Sequence, residues 1–504
     1  MSIWVKRFLY LIFGVFILYN IFLSSALVRM NEVHITNDIG RDFLLLQELE
    51  QKKIVLIGAR SNVQGVFHGP LWTYMNYPAY LIGGGNPITI AWFWILFFII
   101  SLVTTFILMK RLFGNLPAIL SVTMLSVYLV PFLNSMFGPE AMFFFIPAFL
   151  LTFYKYLQSK RSMFLAMHFI IVGLLIHLNI GAGILLSMLS IMLSTVIILK
   201  NKLWNNIFAL FTLPLICINF IIFDLRHNFM ITKALLNLGG SSKFLVPLNE
   251  WILQRINITV SMQILINNIP TLTTLIFILV VISTTFEIKN KSKHKNFLML
   301  LAFYYFGYMF LSYFNKGTLL IDQIFLLIPI SITWLAVLAG GRYKIIFIPL
   351  IFLIIYLNFN FSKNYIDYSI TSIGRSPDSW TSMKNVADRI INEEKDNEFG
   401  YFVYSPDSFA YQQRYAMIYS FKNAHTKAFE YKKLSTTFVI VSPRPIDKPF
   451  MGEQWWIKNE AKIDATPREI ISFPSGYKIE KFVLDKKEQE VNYDPNIRLE
   501  LNFR

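Results

Sequence analysis

Apolar residues in this chain fall in long unbroken runs, not at the spacing of a surface helix or a half-buried strand. They lie near 8–28, 88–109, 116–133, 140–157, 163–178, 181–199, 205–223, 269–286, 297–314, 320–339 and 345–361. Each is roughly 17 to 22 residues, about the length a helix needs to cross ~30 Å of hydrocarbon. The pattern predicts an all-α polytopic membrane bundle of about eleven transmembrane helices. Short basic connections alternate with longer, less basic ones. On one side lie Lys6, Arg7, Lys110, Arg111, Lys155, Lys160, Arg161, Lys200, Lys202, Lys289, Lys291, Lys293, Lys295, Arg342 and Lys344, with Glu287 the one acid among them. Glu32, Asp38, Asp42, Glu48, Glu50, Glu140, Asp224, Glu250 and Asp322 map to the opposite side or to helix ends there. The positive-inside rule makes the basic face cytoplasmic, with the N-terminus inside and the carboxylates exported. Ser24 and Ala26 have cleavage-like spacing, but the run before them is long for a signal peptide and is read as a retained anchor.

Two exported stretches exceed simple connectors. In the first, residues 29–87, Ile39, Phe43, Leu46 and Leu49 recur at helical spacing beside a face carrying Asp38, Arg41 and Asp42. A Gly/Ser/Asn interval from Gly58 to Gly69 follows, then an aromatic segment from Pro70 to Tyr80 and a turn at Gly83 to Gly85. Both helical pieces are too short or too polar to span, and are expected to lie along the membrane surface. The second stretch, 224–268, has no assignable pattern. From residue 362 onward the chain reads as a small α+β extracytoplasmic domain. A helix is expected at Trp380 to Lys395, and strands at Tyr401 to Tyr404, Thr436 to Val441 and Tyr477 to Leu484. The domains expected are therefore 1–361 and 362–504, with no internal repeat.

Composition sharpens this picture. Of 504 residues 55% are hydrophobic and 15% charged, too apolar a balance for a water-soluble fold. Forty-eight Phe and 24 Tyr suit lipid-facing helices and interfacial belts. The net charge of +16 sits almost wholly in residues 1–361, because the tail holds 21 Lys/Arg against 20 Asp/Glu. The excess is a topology signal, and nucleic acid is excluded as a partner for want of a clustered solvated basic face. A single cysteine, Cys217, excludes an intrachain disulfide and a cysteine metal cluster. The sequence has neither a Walker A motif nor a Rossmann glycine fingerprint, so no nucleotide cofactor is expected. A divalent metal stays open should Asp38, Glu140 and His68 converge.

Four exported-side motifs carry candidate chemistry. Asn37-Asp38-Ile39-Gly40-Arg41-Asp42 places carboxylates at i and i+4 around an arginine, a group able to supply a general base; as plain structure it is a helix cap with surface charge. Phe67-His68-Gly69-Pro70-Leu71-Trp72-Thr73-Tyr74 starts a helix and brings His68 beside aromatic rings, or is simply an interfacial anchor. Phe223-Asp224-Leu225-Arg226-His227 offers Arg226 and His227 to a phosphate, or terminates a helix with snorkelling cations. Glu140 follows Gly138-Pro139 at a helix start, where the macrodipole also favours an acid. His177 and Asn179, between closely spaced helices, read as packing or interhelical hydrogen-bond residues.

The arrangement resembles the GT-C superfamily of polytopic glycosyltransferases, particularly the branch of protein O-mannosyltransferases and the lipid A aminoarabinose transferase. Asn37-Asp38 through Asp42 sits where that family carries its catalytic acid, although its usual Asp-Glu pair is here Asp38-Ile39, which keeps Asp42 as a rival. His68 through Tyr74 resembles a later segment of the same loop, and Glu140 a second acid of the next exported loop. The resemblance implies an enzyme of hexosyl- or pentosyl-transferase type in a bacterial cell membrane, taking sugar from a polyprenyl-phosphate donor to an exported acceptor with inversion. Asp38 or Asp42 would be the base. Arg226, His227, His68 and Arg60 would partner the leaving phosphate, and Arg41, Tyr74 and Glu140 would line the substrate site. The competing classes are a flippase for lipid-linked saccharides, which would show repeated halves, and a noncatalytic scaffold.

Overall fold

The computed structural model describes residues 3–133, 136–240, 246–315, 317–394, 397–406, 409–424, 426–443 and 452–500. The chain divides into two compact units. One comprises Met1–Ser25, Val55–Met75 and Phe93–Ile366; the other comprises Ala26–Ile54, Asn76–Trp92 and Asp367–Arg504.

The first unit is helical. Each apolar run predicted above is helix over most of its length, from Ile3–Ser24 through Pro87–Phe113 to Lys344–Thr371. Among the described residues six helices are long and apolar enough to cross a membrane, or seven if the pair Trp204–Ile216 and Ile218–Arg226, bent by 53°, is one span. The expected count of about eleven is not reached on length and apolarity, because several runs form shorter helices. Asn115–Tyr128, for instance, has 14 residues and rises about 21 Å; it stops ahead of Pro131, which disfavours helix in the residue before it. The bundle interior also holds polar groups that satisfy one another. His168 Nε2 meets Ser190 Oγ at 2.9 Å, and Ser190 Oγ meets Tyr304 OH at 2.9 Å, tying three helices together. The stretch after Asp224, unassigned from sequence, forms helices Met230–Gly240 and Leu248–Ser261.

The second unit is built on a five-stranded sheet: β1 (Phe399–Tyr404), β2 (Ala428–Glu430), β3 (Thr436–Val441), β4 (Glu469–Ser472) and β5 (Lys478–Val483), in the order β2-β1-β3-β5-β4. β1 pairs in parallel with β2 and β3, whereas β5 runs antiparallel to β3 and β4. The strand expected at Thr436 to Val441 coincides with β3, and those at Tyr401 and Tyr477 differ from β1 and β5 by a residue or two. Helix Trp380–Glu393 is in place, and Lys395 lies outside the described residues. Two faces of the sheet are covered. Tyr431, Ile457, Ile463 and Leu484 pack with Phe402, Val439 and Phe482 on one; on the other, Phe421 meets Phe399 and Tyr401 at 5.9 and 5.5 Å between ring centres.

The long loop after the first helix belongs in part to this unit. Helix Asn37–Lys52 buries Ile39, Phe43, Leu46 and Leu49 against protein, with Phe43 stacked on Tyr415 of helix Tyr411–Ala424 at 4.9 Å. The apolar stripe expected to lie on the membrane surface is thus already covered by a protein partner. Residue 361, where a domain boundary was expected, falls inside the continuous helix Lys344–Thr371.

Candidate functional site

The acidic motif occupies the first turns of helix Asn37–Lys52. Arg41 is buried between two carboxylates, its Nη1 at 2.8 Å from Asp38 Oδ1 and its Nη2 at 3.4 Å from Asp42 Oδ1. The two acids differ sharply in environment: the Asp38 side chain is 60% exposed and that of Asp42 is 7% exposed. Burial pushes the Asp42 carboxyl up to about 7, against the opposing pull of Arg41 and with the help of nearby Asp38. Arg41 therefore leans toward the exposed acid, which stays open to a reacting group. Other parts of the unit lock this helix. Tyr411 N–H donates to Asn37 Oδ1 at 2.8 Å. Gly40 lies so close to helix Tyr411–Ala424 that a Cβ there would come within 2.4 Å of the Gln412 backbone nitrogen. The buried Glu32 carboxylate accepts from Ser379 Oγ at 2.8 Å, Trp380 N at 2.7 Å and Thr381 N at 3.3 Å, capping the helix that starts at Trp380.

The other sequence-nominated residues belong to the bundle unit. A bridge joins Arg60 to Phe67, Phe67 packs edge-on against Phe223 at 5.5 Å, and Phe223 stacks on His227 at 4.0 Å. Ile57, Phe223 and Ile231 form a small core beneath this layer, and Asn219 Nδ2 donates to the Leu56 carbonyl at 2.7 Å. The loop segment bearing Arg60 and His68 is thereby brought onto the segment bearing Arg226 and His227. His227 Nδ1 is engaged by the Phe223 carbonyl at 2.8 Å, and Arg226 is exposed. Asp224 serves its own chain, accepting from Ile231 N at 2.7 Å and Thr232 Oγ1 at 2.5 Å.

His68 faces the break between two helices. Ile180 N–H donates to His68 Nδ1 at 3.4 Å, and Gly69 N–H to the His177 carbonyl at 2.9 Å. Tyr74 is structural in its hydroxyl contacts, which reach both the N–H and the C=O of Val55 at 3.0 Å. Glu140 is buried in the short 3-10 helix Gly138–Ala141, anchored where Trp72 Nε1 donates to the Met136 carbonyl at 2.8 Å. Among the described residues no group of three His, Cys, Asp or Glu side chains is disposed to hold a metal ion.

Three residues outside the nominated site have roles that only the fold defines. Asn179 caps the helix starting at Ile180, accepting from Ala182 N at 3.1 Å, and reaches Asp322 Oδ2 at 3.4 Å. Arg255 is fully buried, donating to the carbonyls of Asn315 and Gly317 at 2.7 Å each and lying 4.8 Å from the Trp251 ring centre. Asn37, expected only as the residue that heads the acidic motif, accepts from Tyr411 N in the tail.

No family model matches this chain, and no curated protein does. Solved structures do. The crystal structure of ArnT from Cupriavidus metallidurans in the apo state aligns over 95% of this chain and 98% of its own, with a TM-score of 0.60 and 10% identity. ArnT bound to undecaprenyl phosphate aligns over 94% and 97%, with a TM-score of 0.57 and 12% identity. The oligosaccharyltransferase of Archaeoglobus fulgidus aligns over 82% of this chain and 62% of its own, with a TM-score of 0.46 and 10% identity. Across nearly its whole length, this chain shares its fold with ArnT.

Proposed function

We propose that this integral membrane protein is a glycosyltransferase that moves a sugar from a polyprenyl-phosphate donor to an acceptor on the exported side, with inversion. The observation that carries this reading is an exposed carboxylate, Asp38, held by a buried arginine at the start of the first exported loop, within a fold whose relative ArnT binds undecaprenyl phosphate.

In this mechanism Asp38 takes the proton of an acceptor hydroxyl as the oxygen attacks the anomeric carbon. The new C–O bond forms on one face while the bond to phosphate breaks on the other. The polyprenyl phosphate leaves with the electron pair. An exposed carboxylate can reach an incoming substrate, which a buried one cannot, so Asp38 is favoured over Asp42 as the base. Arg41 holds the Asp38 carboxylate in place, and Asp42 completes the clamp. Charge growing on the leaving phosphate needs fixed positive partners. Exposed Arg226 is the first candidate, with His227, His68 and Arg60 behind it and Glu140 as a substrate-lining acid. All eleven apolar runs would cross the membrane, with the N-terminus cytoplasmic.

The test is incubation of the purified protein with undecaprenyl-phosphate-linked radiolabelled sugars and an envelope extract. Label should pass from the lipid phase to an acceptor, and Asp38→Asn should abolish this while undecaprenyl phosphate still binds. Lipid binding without transfer by the wild-type protein would leave a carrier, not an enzyme.

A further inference from the structure

Helix Asn37–Lys52 contributes to a second feature that the acidic motif does not use. Its last turns, the Gly83–Gly85 turn and helix Tyr411–Ala424 enclose a cleft of about 430 Å³, within the range of small-molecule sites. Half-buried Tyr419 and Phe421 supply aromatic walls, backed by the buried rings of Tyr80 and Tyr415. Gln47 and Gln51 supply amides, each of which both donates and accepts. At one end Lys422 Nζ lies 3.0 and 3.2 Å from the two oxygens of Glu50, and Tyr80 OH donates to Glu50 Oε2 at 3.0 Å. Burial would raise the Glu50 carboxyl, but these two partners outweigh it and hold it below its ordinary value. The cleft is therefore polar yet internally neutralised, with one cation facing one anion.

Its floor is shaped for close approach. Tyr415 OH donates to the Gly85 carbonyl, which fixes the turn, and Gly84 and Gly85 have φ of +57° and +91°. Nothing lies within 4 Å of a Cβ built at Gly84, so a ligand can approach the bare backbone there.

We propose that this cleft is a saccharide-binding site for neutral sugar rings. The C–H bonds on one face of a pyranose carry partial positive charge and suit the negative faces of aromatic rings. Ring hydroxyls need groups that donate and accept side by side, which the glutamines and the Glu50–Lys422 pair provide. A charged ligand would have to break that pair. Asp38 lies about 14 to 18 Å back along the same helix, and the 100° advance per residue turns Gln47 to the opposite face. The cleft is thus separate from the acidic motif, and serves to tether a glycan. That the tethered glycan is the acceptor rests on the transferase reading; saccharide binding itself does not.

Full-length protein in a sugar-free detergent such as lauryldimethylamine oxide, mixed with cellotetraose, maltotetraose, chitotetraose or mannotetraose, would be followed by saturation-transfer NMR. At least one tetrasaccharide should receive saturation, and Gln51→Trp, at an exposed helix position where the indole fills the cleft, should weaken it by about tenfold or more. Gln47→Ala, which truncates a wall without adding bulk, should weaken it as well, with the melting temperature of both variants unchanged. Absence of saturation for all four, or a signal that neither variant alters, overturns the proposal. Binding that persists in a protein inactive in the transfer assay would keep this site and remove the enzyme reading, and active transfer without saccharide binding would do the reverse.

Discussion

Arg41 divides its attention between two acids, and the division has measurable consequences. Asp42 in the folded protein holds its proton up to about pH 7, whereas in an unfolded chain it would release it near pH 4. Between those values the native state binds the extra proton, so stability falls as pH rises through this window and levels off above it. A span of about three units corresponds to a loss on the order of 4 kcal/mol. The melting temperature of the purified protein should therefore drop between about pH 5 and pH 7, and Asp42→Asn should remove much of that slope. Catalysis separates the same two residues. Asp38→Asn should lower transfer by about 10² to 10⁴, the usual contribution of a general base; if Asp42→Asn causes the larger loss, the buried acid is the base and the assignment reverses.

At the scale of elements, the motif helix depends on the tail. A methyl group at Gly40 has nowhere to go, because the nearest atoms are backbone and cannot swing aside. Gly40→Ala should force the helices Asn37–Lys52 and Tyr411–Ala424 apart at a cost of about 1 to 3 kcal/mol or more, seen as faster proteolysis of the tail. Glu32 is a parallel case. Its carboxylate satisfies three donors around Ser379 from a fully buried position, and Glu32→Ala would orphan them at a cost of about 1 to 3 kcal/mol in lowered melting temperature. Neither dependence was visible along the chain, since Gly40 and Gln412, or Glu32 and Trp380, are joined only by folding.

For the molecule as a whole, side of the membrane is the property on which function turns. In a Cys217→Ser background, Asp464→Cys in the tail should react with an impermeant maleimide on intact cells. Lys291→Cys, among the basic connections, should react only after permeabilisation. The opposite pattern would put Asp38 away from exported acceptors and end the transfer proposal.

What the sequence determined by itself was whatever depends on local composition: apolar runs that became helices, the α+β tail and strand β3. Lipid solvation makes these readable, because a spanning segment must satisfy its backbone and present apolar side chains without help from distant residues. The acidic motif and its helix were legible for the same reason of local spacing. Only the tertiary structure decided which of Asp38 and Asp42 is exposed, that Tyr74 engages Val55 through its hydroxyl, that Arg255 is buried, and that the stripe Ile39, Phe43, Leu46 and Leu49 is buried against protein, with Phe43 on Tyr415. An amphipathic face records that it must be covered but not by what, and a carboxylate's proton affinity is set by neighbours that folding brings from far along the chain.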